Sequence, residues 1–260
     1  MFQHIIYEYN EGVAKIFLNR PEVYNALNNQ IKVELKQAFE QARDDETVRA
    51  IVLTGSGAAF CSGQDLKAAQ TELEDTTYSE AVRTYYNPLI LTMRNLFKPI
   101  ICQLNGVAAG AGCSLALACD MIVASENASL AELFVGIGLV MDSGSTYFLP
   151  RMVGALKAFE LASTGRSVSA SEAAQIGLVN QVVPADQLEN TVNQLVQKFA
   201  HAPTKTIGLI KQMLNQSYEM SLAEVLEYEA QVQDEAAATD DHQEGIRAFL
   251  EKRKPHFTGN

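Results

Sequence analysis

The chain has 260 residues, 47% of them hydrophobic and 20% charged, the make-up of a globular protein long enough to bury a sizeable core. A formal net charge of −11 leaves no basic footprint for nucleic acid or an anionic membrane, so an anionic substrate needs local positive groups. Cys61, Cys102, Cys113 and Cys119 lie among apolar or small residues with no metal-like spacing, and read as buried thiols.

Residues 4–9 and 13–18 read as two strands of a hairpin that turns at Gly12. An amphipathic helix follows, with Ile31, Leu35, Phe39 and Ala42 on one face, and residues 50–54 form the next strand. A helix between strands signals a parallel sheet. Residues 55–58 are a loop, 71–77 a polar and mobile segment, and 79–96 a helix. Pro99 opens a strand over 100–104, which runs through small residues between Gly106 and Gly112 into a helix of Ala and Leu.

Residues 121–124 return as a strand, and 132–139 carry another apolar segment. Beyond Asp142 the pattern turns helical over 146–153, 155–164 and 169–176, with a last strand at 178–183. Everything from 185 onward is helical until Pro255. No fixed-period repeat is visible. The expected organisation is an α/β body over 1–200 and a helical region over 201–260. No apolar run reaches the ~18 residues of a membrane span, and residues 1–8 lack a leader pattern. A cytoplasmic protein is expected.

Several chemistries lack their signatures. There is no phosphate-binding loop, and neither Gly55-Ser-Gly57 nor Gly110-Ala-Gly112 completes a dinucleotide fingerprint. The four histidines lie near the termini and in the helical tail, and Ser62 and Ser143 lack a nucleophile elbow. Two small-residue turns remain, each after a strand and each able to offer a main-chain N–H. Such groups suit an oxygen gaining negative charge, such as a carbonyl becoming an enolate. Among the carboxylates, Asp142 has two readings. It can cap the following helix, or it can sit in apolar surroundings beside Val140 and Met141 with a raised pKa. Asp65 likewise either holds its loop or takes part in chemistry.

Four segments together resemble the crotonase (enoyl-CoA hydratase/isomerase) superfamily. They are residues 59–66 (Ala-Phe-Cys-Ser-Gly-Gln-Asp-Leu), 105–113 (Asn-Gly-Val-Ala-Ala-Gly-Ala-Gly-Cys), 138–146 (Gly-Leu-Val-Met-Asp-Ser-Gly-Ser-Thr) and the 249–259 tail. The resemblance implies a spiral of ββα turns with a C-terminal helical trimerisation region. It also implies a CoA thioester as substrate, with no cofactor and no metal beyond the CoA of the substrate itself. Carried onto this chain, the thioester oxygen meets the N–H groups of Gln64 and Ala111. Ser62, Asp65, Leu66 and Gly110 border that seat.

Arg20 and Lys67 are candidates for the CoA phosphates, and Lys254 with Phe257 for the nucleotide end, across a subunit boundary. For each of these charges, a solvated surface position is the competing reading. The family's hydratases hold water between two glutamates, and the matching positions here are Ser114 and Phe134. Glu132 stands two residues out of register and shares Phe134's face only if the segment is a strand. Asp142 falls where some isomerases of the superfamily carry an acid.

The resemblance therefore implies a thioester isomerase of the kind that rearranges ring-epoxide or unsaturated acyl groups. An enoyl-CoA hydratase using Glu132 is the first alternative, and a non-catalytic acyl-CoA-binding protein the second. The family's trimers and hexamers imply a homo-oligomer, with neither nucleic acid nor membrane as a partner.

Overall fold

Glu11 and Gly12 take positive φ angles of 47° and 81°, and this two-residue turn folds β1 (Ile5–Asn10) against β2 (Val13–Leu18) as an antiparallel pair. The structure, a computed structural model, describes residues 2–72, 74 and 76–260. Asn28 caps α1 (Asn29–Asp44) by accepting from the Ile31 N–H at 3.0 Å. The stripe of Ile31, Leu35, Ala38, Phe39 and Ala42 is buried, and α1 hands the chain to β3 (Ala50–Gly55), parallel to β2.

From β3 the chain repeats one unit, in which a strand of a large sheet is followed by a short strand of a small sheet and then by helix. The first unit is β3, β4 (Ala59–Cys61), α2 (Leu66–Glu72), α3 (Tyr78–Ala81), a π-helical turn over Val82–Tyr86 and α4 (Asn87–Asn95). The second is β5 (Ile100–Leu104), β6 (Val107–Ala109) and α5 (Ala111–Leu117). The third is β7 (Met121–Ser125), β8 (Ser129–Ala131), a 3-10 turn over Leu133–Ile137, α6 (Ser145–Val153) and α7 (Ala155–Thr164). Then come β9 (Val168–Ser169), α8 (Ala170–Gln175) and β10 (Gln181–Val183).

The large sheet runs β1-β2-β3-β5-β7-β10 and is parallel beyond the first hairpin, while the small sheet runs β4-β6-β8-β9. This is the spiral of ββα turns that the sequence implied. Its units begin at Ala50, Ile100 and Met121, so unequal insertions hide the repeat from any fixed-period reading.

Three expectations change. The glycine-rich stretch before α5 is a short strand, β6, and not simply a turn. The helix expected over 79–96 is broken, because the Asn87 N–H bonds the Val82 carbonyl, five residues back, and Pro88 has no N–H to continue the ladder. Of the segment expected to be mobile, Thr71 and Glu72 lie in α2, while Thr77 caps α3 through reciprocal bonds with Glu80. Leu73 and Asp75 of that segment lie outside the described residues.

Beyond β10, α9 (Leu188–Ala200) lays Leu188, Val192, Val196 and Ala200 on Val13, Val52, Ile101 and Val123 of the large sheet. The next helix, α10 (Thr204–Ser217), is tied to the spiral by a buried ion pair of 2.8 Å between Lys211 and Asp120. Asp120 also accepts from Arg94 at 2.9 Å and from the Ile100 N–H at 2.8 Å. After α11 (Leu222–Ala237) and α12 (Asp240–Leu250), the tail folds back, and the Asp241 carboxylate accepts from the Thr258 and Gly259 N–H groups at 2.6 and 2.8 Å. The four cysteines are free and buried. Among the described residues, no helix is long and apolar enough to cross a membrane.

Candidate active site

Two loops meet where the small sheet ends, and glycine makes the meeting possible. A Cβ on Gly112 would stand 2.3 Å from the Cys61 carbonyl oxygen. One on Gly63 would stand 2.7 Å from the Ala109 carbonyl oxygen and 3.6 Å from the Ala111 nitrogen. No other residue permits that approach of backbone to backbone. Gly110 adds a conformation of its own, with φ 50° and ψ −126° just ahead of α5.

Ala111 begins α5, so its N–H has no partner within the helix. Gln64 bridges to Leu27 through its neighbours, the Leu27 N–H bonding Gly63 and the Asp65 N–H bonding Leu27. Among the described residues, the N–H groups of Gln64 and Ala111 are both left free of backbone acceptors.

Both residues line a cavity of about 250 Å³. Ser62, Gly63, Leu66 and Gly110 border it near those groups, and Ala69, Val82, Leu133, Phe134, Ile137 and Leu139 make most of the rest apolar. Asp142 is in the same wall. Its carboxylate accepts from the Ser143 hydroxyl at 2.8 Å. Burial raises its pKa above the ordinary carboxylate value, while the Ser143 bond and the Lys32 charge oppose that rise. The capping alternative is overturned, because Gly144 is the N-cap of α6 and no side chain caps that helix.

Two cavity residues carry no signal in the sequence pattern. Lys32, on α1, is only 2% exposed, and its ammonium lies 4.3 Å from the centre of the Tyr86 ring. It donates to Gln64 Oε1 at 3.2 Å, and the Tyr86 hydroxyl donates to the same oxygen. Burial lowers the Lys32 pKa to about 8, although Glu72 and Asp142 favour its charge. Tyr86 comes from the π-helical turn, which brings Val82 to the same wall. Lys32 follows the buried Ile31 by one position, and on a periodic reading such a lysine faces solvent. Glu72 also borders the cavity, with Oε1 accepting from the Asn29 N–H at 2.8 Å.

Ser114 and Phe134, the positions that the resemblance matches to the hydratase glutamates, are both buried, Ser114 completely. Glu132 is buried without lining the cavity. Its Oε1 accepts from the Ser145 hydroxyl at 2.7 Å, and that hydroxyl lies 2.8 Å from Ser114 Oγ. Burial pushes the Glu132 pKa up to about 7. Strand counting would set Glu132 and Phe134 on one face, but β8 ends at Ala131 and a 3-10 turn begins at Leu133.

The charges expected at CoA are outside the cavity wall. Arg20 pairs with Asp65 at 2.9 Å and donates to the Ala26 carbonyl at 2.6 Å. Asp65 also accepts from the Lys67 and Ala68 N–H groups at 3.1 Å each, so it holds the start of α2. These partners hold its pKa below the ordinary value despite its partial burial. The Lys67 side chain does not line the cavity, and Lys254 and Phe257 lie in the tail, Phe257 against Gly245 of α12.

The sequence model of the family described as Enoyl-CoA hydratase/isomerase matches residues 8–260. The chain is similar to the 1,2-epoxyphenylacetyl-CoA isomerase of Escherichia coli (strain K12), at 39% identity over 261 residues and 100% of each sequence. It is similar also to "Probable enoyl-CoA hydratase" of Rhodobacter capsulatus, at 40% identity over 258 residues and 99% of each. The crystal structure of an enoyl-CoA hydratase from Bacillus anthracis superimposes with a TM-score of 0.91 at 35% identity, covering 99% of this chain and 100% of that one.

Proposed function

The chain belongs to the enoyl-CoA hydratase/isomerase family, and from that premise we propose that it is an isomerase of acyl-CoA thioesters. The reading names 1,2-epoxyphenylacetyl-CoA as substrate, with movement of a double bond in 3-enoyl thioesters as a second activity. One observation carries it. Asp142 stands in the wall of the cavity that Gln64 and Ala111 also line, and the resemblance supports the reading by matching the hydratase glutamates to Ser114 and Phe134, neither of which is an acid.

The thioester oxygen accepts from the two N–H groups. As the α-carbon gives up a proton, charge grows on that oxygen, and each fixed donor is worth about 3 kcal/mol in that state. Asp142 takes the proton, and its burial-raised pKa brings it nearer neutral pH, where a shuttle works best. Returning the proton at the γ-carbon moves the double bond. Adding water needs a second carboxylate to orient and protonate, and Glu132, though buried, is not among the residues that line the cavity.

The test is a panel of epoxyphenylacetyl, 3-enoyl and 2-enoyl thioesters assayed with the wild type and with Asp142→Asn and Glu132→Gln. Isomerisation that disappears in Asp142→Asn is the expected result. Fast hydration of crotonyl-CoA that survives Asp142→Asn and dies in Glu132→Gln would establish the hydratase instead. Thioester binding with no α-proton exchange into deuterated water would establish a binding protein.

A further inference from the structure

Lys32 is a cation in a mostly apolar cavity. Among the described residues it makes no ion pair, and its one hydrogen bond goes to the amide oxygen of Gln64. Tyr86 and Tyr85 offer it their ring faces at 4.3 and 5.3 Å. A hydrocarbon acyl chain entering the cavity would strip the ammonium of water and offer no acceptor for the donors that Gln64 leaves unused, which is costly. An acyl group with an oxygen in reach would supply that acceptor.

The charge of that oxygen is constrained as well. Asp142 and Glu72 border the same cavity, and both act on Lys32 electrostatically. Two carboxylates against one ammonium disfavour a third negative charge.

We infer that Lys32 is a specificity residue that selects acyl-CoA thioesters whose acyl group carries a neutral oxygen acceptor, such as an epoxide or ketone, beyond the α-carbon. The inference rests on the thioester seat proposed above, since the Gln64 side chain that Lys32 touches belongs to the residue whose N–H meets the thioester oxygen. It ranks oxygenated acyl groups, the ring epoxide among them, ahead of the hydrocarbon 3-enoyl groups of the second activity.

The test uses three CoA thioesters of matched shape that have no double bond to move. These are 4-oxopentanoyl-CoA, 4-methylpentanoyl-CoA and succinyl-CoA, titrated by calorimetry into the wild type and Lys32→Met. The wild type is expected to prefer the oxo over the methyl compound by about tenfold, the worth of one hydrogen bond from a charged donor. Lys32→Met is expected to lose that preference while binding the methyl compound at least as well. Equal binding of the oxo and methyl compounds by the wild type, or a preference that survives in Lys32→Met, overturns the inference and leaves the thioester seat standing. Tightest binding of succinyl-CoA also overturns it, in favour of carboxylate recognition. If no thioester binds either protein, the proposed function fails, and this inference with it.

Should Lys32→Met not fold, the wild type alone decides. The oxo preference is expected to fade as pH rises through about 8, where Lys32 loses its proton beside Glu72, Asp142, Tyr85 and Tyr86. A preference unchanged between pH 7 and pH 10 would again overturn the inference.

Discussion

The Ser145 hydroxyl donates to Glu132 Oε1 at 2.7 Å, inside the protein and outside the cavity wall, and the other Glu132 oxygen has no partner among the described residues. Burial favours the neutral acid, and the nearby Asp142 charge adds to that, so the pKa rises from 4.5 to about 7. A carboxyl whose folded pKa exceeds its unfolded one contributes stability that is complete below the unfolded value and is lost as pH rises through the folded value. The Glu132 contribution to stability should therefore fall between pH 4.5 and about 7. The loss is on the order of 3 kcal/mol. Glu132→Gln keeps an acceptor for Ser145 and cannot ionise. It should match the wild type at pH 4.5 and exceed it at pH 8 in urea unfolding; parallel pH profiles for the two proteins would refute the account.

The Asp142 side chain makes no capping bond to α6, whose Ser145 N–H bonds only the Asp142 backbone carbonyl, so its replacement should separate chemistry from folding. Asp142→Asn keeps an acceptor for the Ser143 hydroxyl and loses the proton carrier. Turnover should drop by about 10²–10⁴. The melting temperature should shift by no more than a degree or two, and thioester affinity should hold. A variant that unfolds with its activity loss would assign Asp142 a structural role.

How much of this was readable beforehand depended on element length. The stripe Ile31, Leu35, Phe39, Ala42 announced α1 because a sixteen-residue helix samples its period several times. Strands β4, β6 and β8 have three residues each, too few for alternation to register, and β6 hid inside a run that reads as turn. Gln64, Ala111 and Asp142 came from the resemblance to a family, since a backbone N–H leaves no mark on residue type. Lys32 escaped because its burial is produced by Tyr85 and Tyr86, which are distant in sequence and carried by a π-helical turn. Glu132 escaped because a strand gives way to a 3-10 turn around it.

Several large apolar side chains stand exposed on the single chain. Leu156 is 91% exposed and Phe249 83%, with Phe159, Leu222 and Leu250 also open to solvent in the single chain. If the chain forms the expected homo-oligomer, contacts between copies should cover part of that surface, and light scattering should give a trimer or a hexamer. Phe249→Asp combined with Leu250→Asp should shift the mass downward if α12 contributes to the contact. A stable and active monomer of the wild type would remove the idea.

The glycines around the two N–H groups allow a graded test of how the seat is built. Gly136 has ordinary φ and nothing within 4 Å of a built Cβ, so Gly136→Ala should leave stability and turnover unchanged. Gly110 also has free space, but its φ of 50° and ψ of −126° are foreign to an L-residue. Gly110→Ala should cost about 1–3 kcal/mol of strain, while moving the Ala111 N–H and reducing turnover. Gly112→Ala meets the Cys61 carbonyl at 2.3 Å, a backbone atom in a paired strand that cannot swing aside. Its cost should exceed that of Gly110→Ala, since β4 and α5 must separate to admit the methyl group. Thermal unfolding should rank the three as 136, 110 and 112 in rising damage. If Gly112→Ala were as stable and active as the wild type, the close contact between β4 and α5 would not be what sets the spacing of the Gln64 and Ala111 donors.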